Sequence, residues 1–410
     1  MPNLLTNSLS KAVFFSLIGL LAIVKGFAQQ SSPQEVLENK DFLAEISFTV
    51  IRDKILIPVQ IEGETFQFIL DTGGSLSISK AIQDKFQFKQ TGSAKVIGIN
   101  KLSKNVPYVK VPLVKIGDLR FINYSGTISD YSAFPYPCLN FDGIIGRDFL
   151  KGLIMQLDLD QQKMILTDHP NRLRLDPADA IPLKLDRRTG LPYITVTLSP
   201  FGKESLVFDS GSDDLFSFKT SKVENYSKQK KFKKHSFEVL YGVTSMGASG
   251  VVPAPSKSYR TPIPKMQIGN HIITDFYSDI SKKSRSRIGV GLLKYGLVTL
   301  DYGRRQFYFE AYQARQEVAE KVSSIGFIPR YLSGAYRVTA ISSSSEAAQM
   351  GLKIGDEILQ INELDLRNPD HVDHCDLYLN GYRWEGPVTS TVVFKQGEEE
   401  KTITIQRRDY

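Results

Sequence analysis

The same short pattern occurs twice in this chain, and any fold has to accommodate both copies. Asp71-Thr72-Gly73 follows the apolar run Phe68-Ile69-Leu70, and Asp209-Ser210-Gly211 follows Leu206-Val207-Phe208. Each copy has the same partner downstream. Ile145-Gly146-Arg147-Asp148-Phe149-Leu150-Lys151 runs on to Leu157-Asp158, and Ile288-Gly289-Val290-Gly291-Leu292-Leu293-Lys294 runs on to Leu300-Asp301, with no gap between the copies. An Ile-Gly turn lies between motif and partner in each half, at Ile116-Gly117 and Ile268-Gly269. Repetition at this scale implies two similar units facing each other. An Asp on a turn that ends a buried strand can be aimed into a cleft, and the Gly lets backbone approach its carboxylate. Two such Asp in one chain point to a hydrolase built on paired carboxylates.

Asp71-Thr72-Gly73-Gly74-Ser75 with Gly143-Ile144-Ile145-Gly146-Arg147-Asp148 is similar to the retroviral protease pattern. With both copies in one chain, the sequence resembles a two-lobed aspartic peptidase of the pepsin and retropepsin clan. The resemblance covers residues 45–312 and implies a mainly β fold of two pseudo-symmetric lobes, 45–170 and 183–312, joined through 171–182. It implies Asp71 and Asp209 as the catalytic pair, with Thr72, Gly73, Ser210, Gly211 and Ser212 supporting them. Thr72 and Ser210 would hydrogen-bond across the junction. Ser212 would serve the outer oxygen of Asp209, a role its counterpart Gly74 has no side chain to fill. Retroviral enzymes carry acidic residues at the place of Asp213, paired with an Arg. Val290 stands where that Arg would be, so Asp213-Asp214 reads equally as a solvated acidic turn. Ile97, Gly98 and Ile99 are the candidate flap, with Gly242 to Gly250 in the corresponding place of the second half.

Two carboxylates about 3 Å apart cannot both ionise and share one proton near the working pH. One acts as general base on a bound water and the other protonates the scissile carbonyl oxygen. No metal or cofactor is required, and which Asp is acid and which is base stays open at this level. A glycosidase would separate its carboxylates, whereas the Gly-flanked repeats point to one shared water. The rival reading is an inactive, peptidase-like protein that holds peptides without cutting them.

The N-terminus reads as a signal peptide over residues 1–28. Lys11 supplies the positive start, Ala12 to Val24 is an apolar core shorter than the ~20 residues a bilayer span takes, and Gly26-Phe27-Ala28 is a cleavage site. Export to the periplasm or beyond follows, with no transmembrane span in the mature chain. Residues 29–44 read as a polar linker. The two cysteines, Cys138 and Cys375, fall in different predicted domains; an oxidising compartment would allow a bridge between them, but nothing in the sequence brings them together, so two unpaired thiols are the expectation over a bridge. The formal net charge of +7 is carried largely by Lys228 to His235 and Lys282 to Arg287. Without interleaved aromatics these runs read as solvated loops and name no nucleic-acid partner.

Residues 313–322 are rich in Glu, Ala, Gln and Arg and fit a connecting helix. Beyond them, Ser345-Glu346-Ala347-Ala348-Gln349-Met350-Gly351-Leu352, then Gly355-Asp356-Glu357-Ile358 and Ile361-Asn362, resemble a bacterial PDZ domain over residues 323–410, a small α+β module. That resemblance implies a C-terminal peptide or an envelope protein as partner, with Ile325, Gly326 and Phe327 as the carboxylate loop and the helix holding His371 and His374 beside the groove. The whole most resembles secreted retropepsin-like peptidases with PDZ tails found in Bacteroidota. It implies a polypeptide substrate and, because one chain holds both Asp motifs, a monomer.

Overall fold

The computed structural model describes residues 34–97, 103–230, 238–242, 245–247, 250–252, 257–280, 285–318, 323–380 and 388–409. The chain divides into Met1–Gln34 and Glu35–Tyr410. The expected signal peptide and the first residues of the linker lie outside the described residues. The protein is mainly β. Alternation sets the strands: in Pro192–Ser199, Ile194, Val196 and Leu198 are buried while Thr195 and Thr197 are exposed, the period of two that turns successive side chains to opposite faces.

The strands that carry the Asp motifs depart from alternation because both of their edges are paired. Glu64–Asp71 runs antiparallel to Lys54–Ile61 through a tight turn in which Glu62 and Gly63 both have positive φ, the geometry that matches strand twist. On its other side it runs parallel to Gly143–Gly146, with Ile145 opposite Leu70 and Gly146 opposite Asp71. Phe68, Ile69 and Leu70 are all buried in consequence. Gly146 is required there: a Cβ would stand 2.4 Å from the backbone of Gly74 and Ser75. In the second half, Gly202–Phe208 runs antiparallel to Pro192–Ser199 and parallel to Arg287–Ile288, with Ile288 opposite Phe208. A 3-10 turn follows each parallel strand, at Arg147–Leu150 and Val290–Tyr295.

The two halves share a six-stranded sheet. Ile154–Asp158 from the first pairs antiparallel with Gly296–Asp301 from the second, so Leu157 faces Val298 and Met155 faces Leu300. Both halves contribute to one continuous core, from Ile46 and Phe68 to Phe208 and Phe309.

The C-terminal segment has its own core, built from Ile325, Phe327, Tyr336, Val338, Ile358, Phe394 and neighbours. Its sheet joins that of the second half, where Leu240 and Tyr241 pair with Ser342 and Ile341. A short helix, His374–Leu379, lies against the first half instead.

Three expectations are corrected. Residues 313–322 do not form a helix where described: Arg315–Glu317 is a strand paired in parallel with Ile272–Thr274, and residues 319–322 lie outside the described residues. Satisfying a sheet edge outweighs the modest helix preference of Ala, Gln and Glu. The linker is partly structured, since Val36–Leu37 pairs with Phe121 and Ile122 and Leu37 packs on the core. The cysteines are not free thiols: Cys138 and Cys375 form a disulfide, with Cα atoms 5.0 Å apart. The fold brings them together by packing the His374–Leu379 helix against the Tyr136–Leu139 turn. Because the bridge spans a sequence separation of 237, it removes much unfolded-chain freedom. Replacing both cysteines by Ala is expected to lower the unfolding free energy by about 2–4 kcal/mol, measured by urea denaturation of the full chain.

Candidate active site

The two Asp motifs meet through a reciprocal set of hydrogen bonds. The Thr72 N–H donates to Ser210 Oγ at 2.9 Å, and the Ser210 N–H donates to Thr72 Oγ1 at 3.0 Å. Each hydroxyl then donates onward into the opposite motif strand, Thr72 to the Phe208 carbonyl at 2.8 Å and Ser210 to the Leu70 carbonyl at 2.9 Å. Both side chains are fully buried, so each group satisfied here would otherwise be stranded away from water.

This crossing places the carboxylates face to face. Asp71 Oδ1 accepts from the Gly73 N–H at 2.8 Å, and Asp209 Oδ1 from the Gly211 N–H at 3.2 Å. Each glycine also lies under the opposite carboxylate. A Cβ at Gly73 would stand 2.8 Å from Asp209 Oδ1, and one at Gly211 would stand 2.5 Å from Asp71 Cγ. The carboxyl of Asp71 is raised to about 7, by burial first and then by the neighbouring Asp209 carboxylate.

The surrounding residues make the pair unequal. Ser212 does not reach the outer oxygen of Asp209; its hydroxyl lies 3.5 Å from Asp214 Oδ2. Arg287 stands at that outer oxygen instead, with Nη1 3.2 Å from Asp209 Oδ2. On the Asp71 side, a Cβ at Gly74 would be 2.8 Å from Oδ2. Lys54 is buried beside the pair and donates to the Gly211 carbonyl at 2.7 Å. Neither cation is expected from the sequence, where Arg287 ends a basic run that reads as a solvated loop and Lys54 belongs to no motif. A signal is present nonetheless: Gly143-Ile144-Ile145-Gly146 aligns with Ser286-Arg287-Ile288-Gly289, so a charge replaces Ile144 on a strand buried between neighbours.

Arg147 and Asp148 brace the first motif from behind. Arg147 Nη1 donates to the carbonyls of Gly73, at 2.9 Å, and Gly74, while its Nε donates to the Thr189 carbonyl in the second half. Asp148 accepts from the Leu76 N–H at 2.9 Å, and burial raises its carboxyl to about 6. In the second half Val290 is buried and its N–H donates to the Ser212 carbonyl at 2.9 Å. Asp213 acts electrostatically on Tyr378; the causes that raise Asp71 are burial and Asp209.

Some of the remaining candidates lie outside the described residues. Ile97 ends the hairpin made by Gln90–Ile97 and Ser103–Ile116, and Gly98 and Ile99 lie outside the described residues. The Gly242–Gly250 stretch includes the strand pair Ser245–Gly247 and Gly250–Val252 in part. Ile325 and Phe327 are core residues of the C-terminal segment. Gly326, at φ +85°, donates its N–H to Ser324 Oγ and accepts from the Ser342 N–H, so its backbone groups are committed internally. His374 stacks on Tyr331 with ring centroids 3.9 Å apart, and its Nδ1 is 2.6 Å from the Tyr336 hydroxyl. Tyr378 of the same helix has the Arg52 guanidinium 4.0 Å from its ring centroid, and Tyr378 and Leu379 pack on the cluster that holds Leu56, Ile69 and Tyr136. Among the described residues no group of three or more His, Cys, Asp or Glu is placed to hold a metal ion.

Residues 57–149 match the model of the aspartyl protease family. Over 116 residues the chain is 34% identical to a retrovirus-related Pol polyprotein from transposon 412 of Drosophila melanogaster, a match covering 27% of this chain and 9% of that one. The chain thus spans less than a tenth of that relative's length. Among solved structures, a retropepsin-like aspartic protease from Rickettsia conorii is 19% identical, covering 32% of this chain and 92% of that one, with a TM-score of 0.21. Basic 7S globulin from soybean is 11% identical, covering 66% and 95%, with a TM-score of 0.38.

Thr72→Val keeps the shape of the side chain but leaves the Ser210 N–H and the Phe208 carbonyl without their partner. It is expected to cost about 2–4 kcal/mol in urea unfolding, while Thr72→Ser stays within about 1 kcal/mol of the wild type. Folded Asp71 keeps a proton that the unfolded chain, with an ordinary carboxyl near 3.8, has already released, so its burial lowers stability as pH rises from about 4 to about 7. Asp71→Asn is therefore expected to be more stable than the wild type at neutral pH by about 2–4 kcal/mol, the gain vanishing toward pH 4 in thermal melts.

Proposed function

We propose that this chain is an aspartic endopeptidase that hydrolyses peptide bonds through a water activated between Asp71 and Asp209. The observation that carries this reading is the mutual seating of the two carboxylates, each over the other's glycine, with the Asp209 charge acting on buried Asp71. Such a pair retains one proton over the range where a base and an acid are needed together. The aspartyl protease match over residues 57–149 and the similarity to a retrovirus-related Pol polyprotein support it. Both carboxylates come from one chain, so a monomer can complete the site. An extended polypeptide lying across the junction, under the hairpin that ends at Ile97, is the proposed substrate.

The segment from residue 323 to 410 is proposed to be a PDZ module that binds a C-terminal peptide or an envelope partner. Its own core and its Gly-Asp-x-Ile sequence pattern support that reading. The groove helix would be His374–Leu379, which the Cys138–Cys375 bridge fastens to the first half. Export to the periplasm or beyond is proposed from the signal-like N-terminus, and the disulfide suits an oxidising compartment. Among the described residues no helix is long and apolar enough to cross a membrane.

The test is cleavage of a mixed peptide library by the mature full-length chain from acidic to neutral pH. The wild type is expected to cut, and Asp71→Asn and Asp209→Asn, each verified as folded, to lose at least about 100-fold in rate. No cutting by a folded wild type at any pH would favour the peptide-binding alternative.

A further inference from the structure

We propose that Arg287 assigns the roles within the carboxylate pair: its buried guanidinium, 3.2 Å from Asp209 Oδ2, keeps Asp209 as the carboxylate and leaves the shared proton on Asp71. Asp209 is then the general base and Asp71 the general acid. The inference deepens the peptidase reading and rests on it for its catalytic meaning, but the proton's location can be measured whether or not the chain cuts peptides.

The placement of Arg287 is built rather than incidental. Its residue is 9% exposed, and its backbone is fixed on both sides, pairing with Val207 in the motif strand and exchanging hydrogen bonds with Ser217. Its Nε is buried without a hydrogen-bond partner. A buried cation of this kind demands an ionised neighbour, since a neutral acid beside it would leave the charge uncompensated. Asp209 is the carboxylate in salt-bridge contact. The matching position on the first side is Ile144, which lies opposite Ile69 and supplies no charge to Asp71.

The other charged groups around the pair leave this asymmetry in place. Lys54 commits its ammonium to the Gly211 carbonyl, and its charge is the last of the influences on Asp71. Arg147 is held by the carbonyls of Gly73, Gly74 and Thr189. Tyr131 lies within reach of the Asp71 charge, with its hydroxyl donated to Ser77. Asp213 and Asp214 follow in the turn, Asp214 toward Ser212 and Asp213 toward Tyr378. The carboxyl of Asp71, raised to about 7, agrees with its holding the proton.

The reaction then balances without an outside proton. Asp209 takes a proton from water as the water oxygen bonds to the scissile carbonyl carbon, and Asp71 gives its proton to the carbonyl oxygen. In the second step the C–N bond breaks, Asp209 passes its proton to the leaving nitrogen, and Asp71 recovers one from the diol hydroxyl. Arg287 touches neither substrate nor water in this scheme; it is a positioning residue that acts through Asp209.

The experiment is ¹³C NMR of the full chain with aspartate side-chain carboxyls labelled, at a pH of about 5–6 where a shared proton is held. Asp71→Asn and Asp209→Asn assign the two signals. The wild type is expected to show Asp71 at the carboxylic acid position and Asp209 at the carboxylate position. In Arg287→Met the two signals should move toward each other, and in Arg287→Lys they should stay close to the wild type. In peptide cleavage the acid limb of the kcat/KM profile should rise by about one pH unit or more in Arg287→Met, and by less in Arg287→Lys. A wild-type proton on Asp209, or signals unmoved in folded Arg287→Met, would overturn the assignment. If Arg287→Met does not fold, the wild-type and Arg287→Lys spectra decide it. A wild type that cuts nothing yet shows the expected spectra would remove the peptidase reading and leave the polarised pair standing.

Discussion

Four hydrogen bonds between Thr72 and Ser210 and the strands behind them are the constraint on which the rest of the site depends. Each donor and acceptor is buried, so the two motif loops have to cross at one distance and one angle or leave polar groups stranded. The crossing then dictates which residues can follow. Gly73 and Gly211 have to be glycine because the opposite carboxylate occupies the space of their side chains. The crossing also sets the Asp209 charge beside buried Asp71, and the two together push the Asp71 carboxyl up.

Packing further out holds that crossing in place. The shared six-stranded sheet joins the two halves below the site, with Ile154–Asp158 against Gly296–Asp301. Arg147 joins them again, by gripping the Gly73 and Gly74 carbonyls and the Thr189 carbonyl together. A relative movement of the halves would have to break the sheet ladder, the Arg147 contacts and the buried hydroxyl network at once.

The mainly β character is legible in the alternation of stretches such as Pro192–Ser199, and the nearness of Asp71 to Asp209 follows from two apolar runs ending in the same Asp-hydroxyl-Gly pattern. What escapes a linear reading is contact between distant segments. Arg287 looks like the end of a basic run because its burial comes from Val207 and Ser217, remote in the chain. Lys54 hides at the start of a strand whose apolar residues say nothing about a carbonyl at Gly211. The Cys138–Cys375 pair joins segments with no shared pattern at all. Residues 313–322 mislead in another way: their composition favours a helix, and only the open edge at Ile272–Thr274 makes strand the better choice for Arg315–Glu317. The misread elements are all ones whose environment is supplied by a neighbour far away in sequence.

The disulfide also changes what a cut in this molecule does. Cys138 and Cys375 close the intervening backbone, a separation of 237, into a covalent ring that includes the second Asp motif and the six-stranded sheet's later strands. A single nick by any protease inside the ring releases no fragment. The product weighs one water more than the intact chain and migrates as one species until it is reduced, so an assay of self-digestion that omits reductant would score a cleaved molecule as whole.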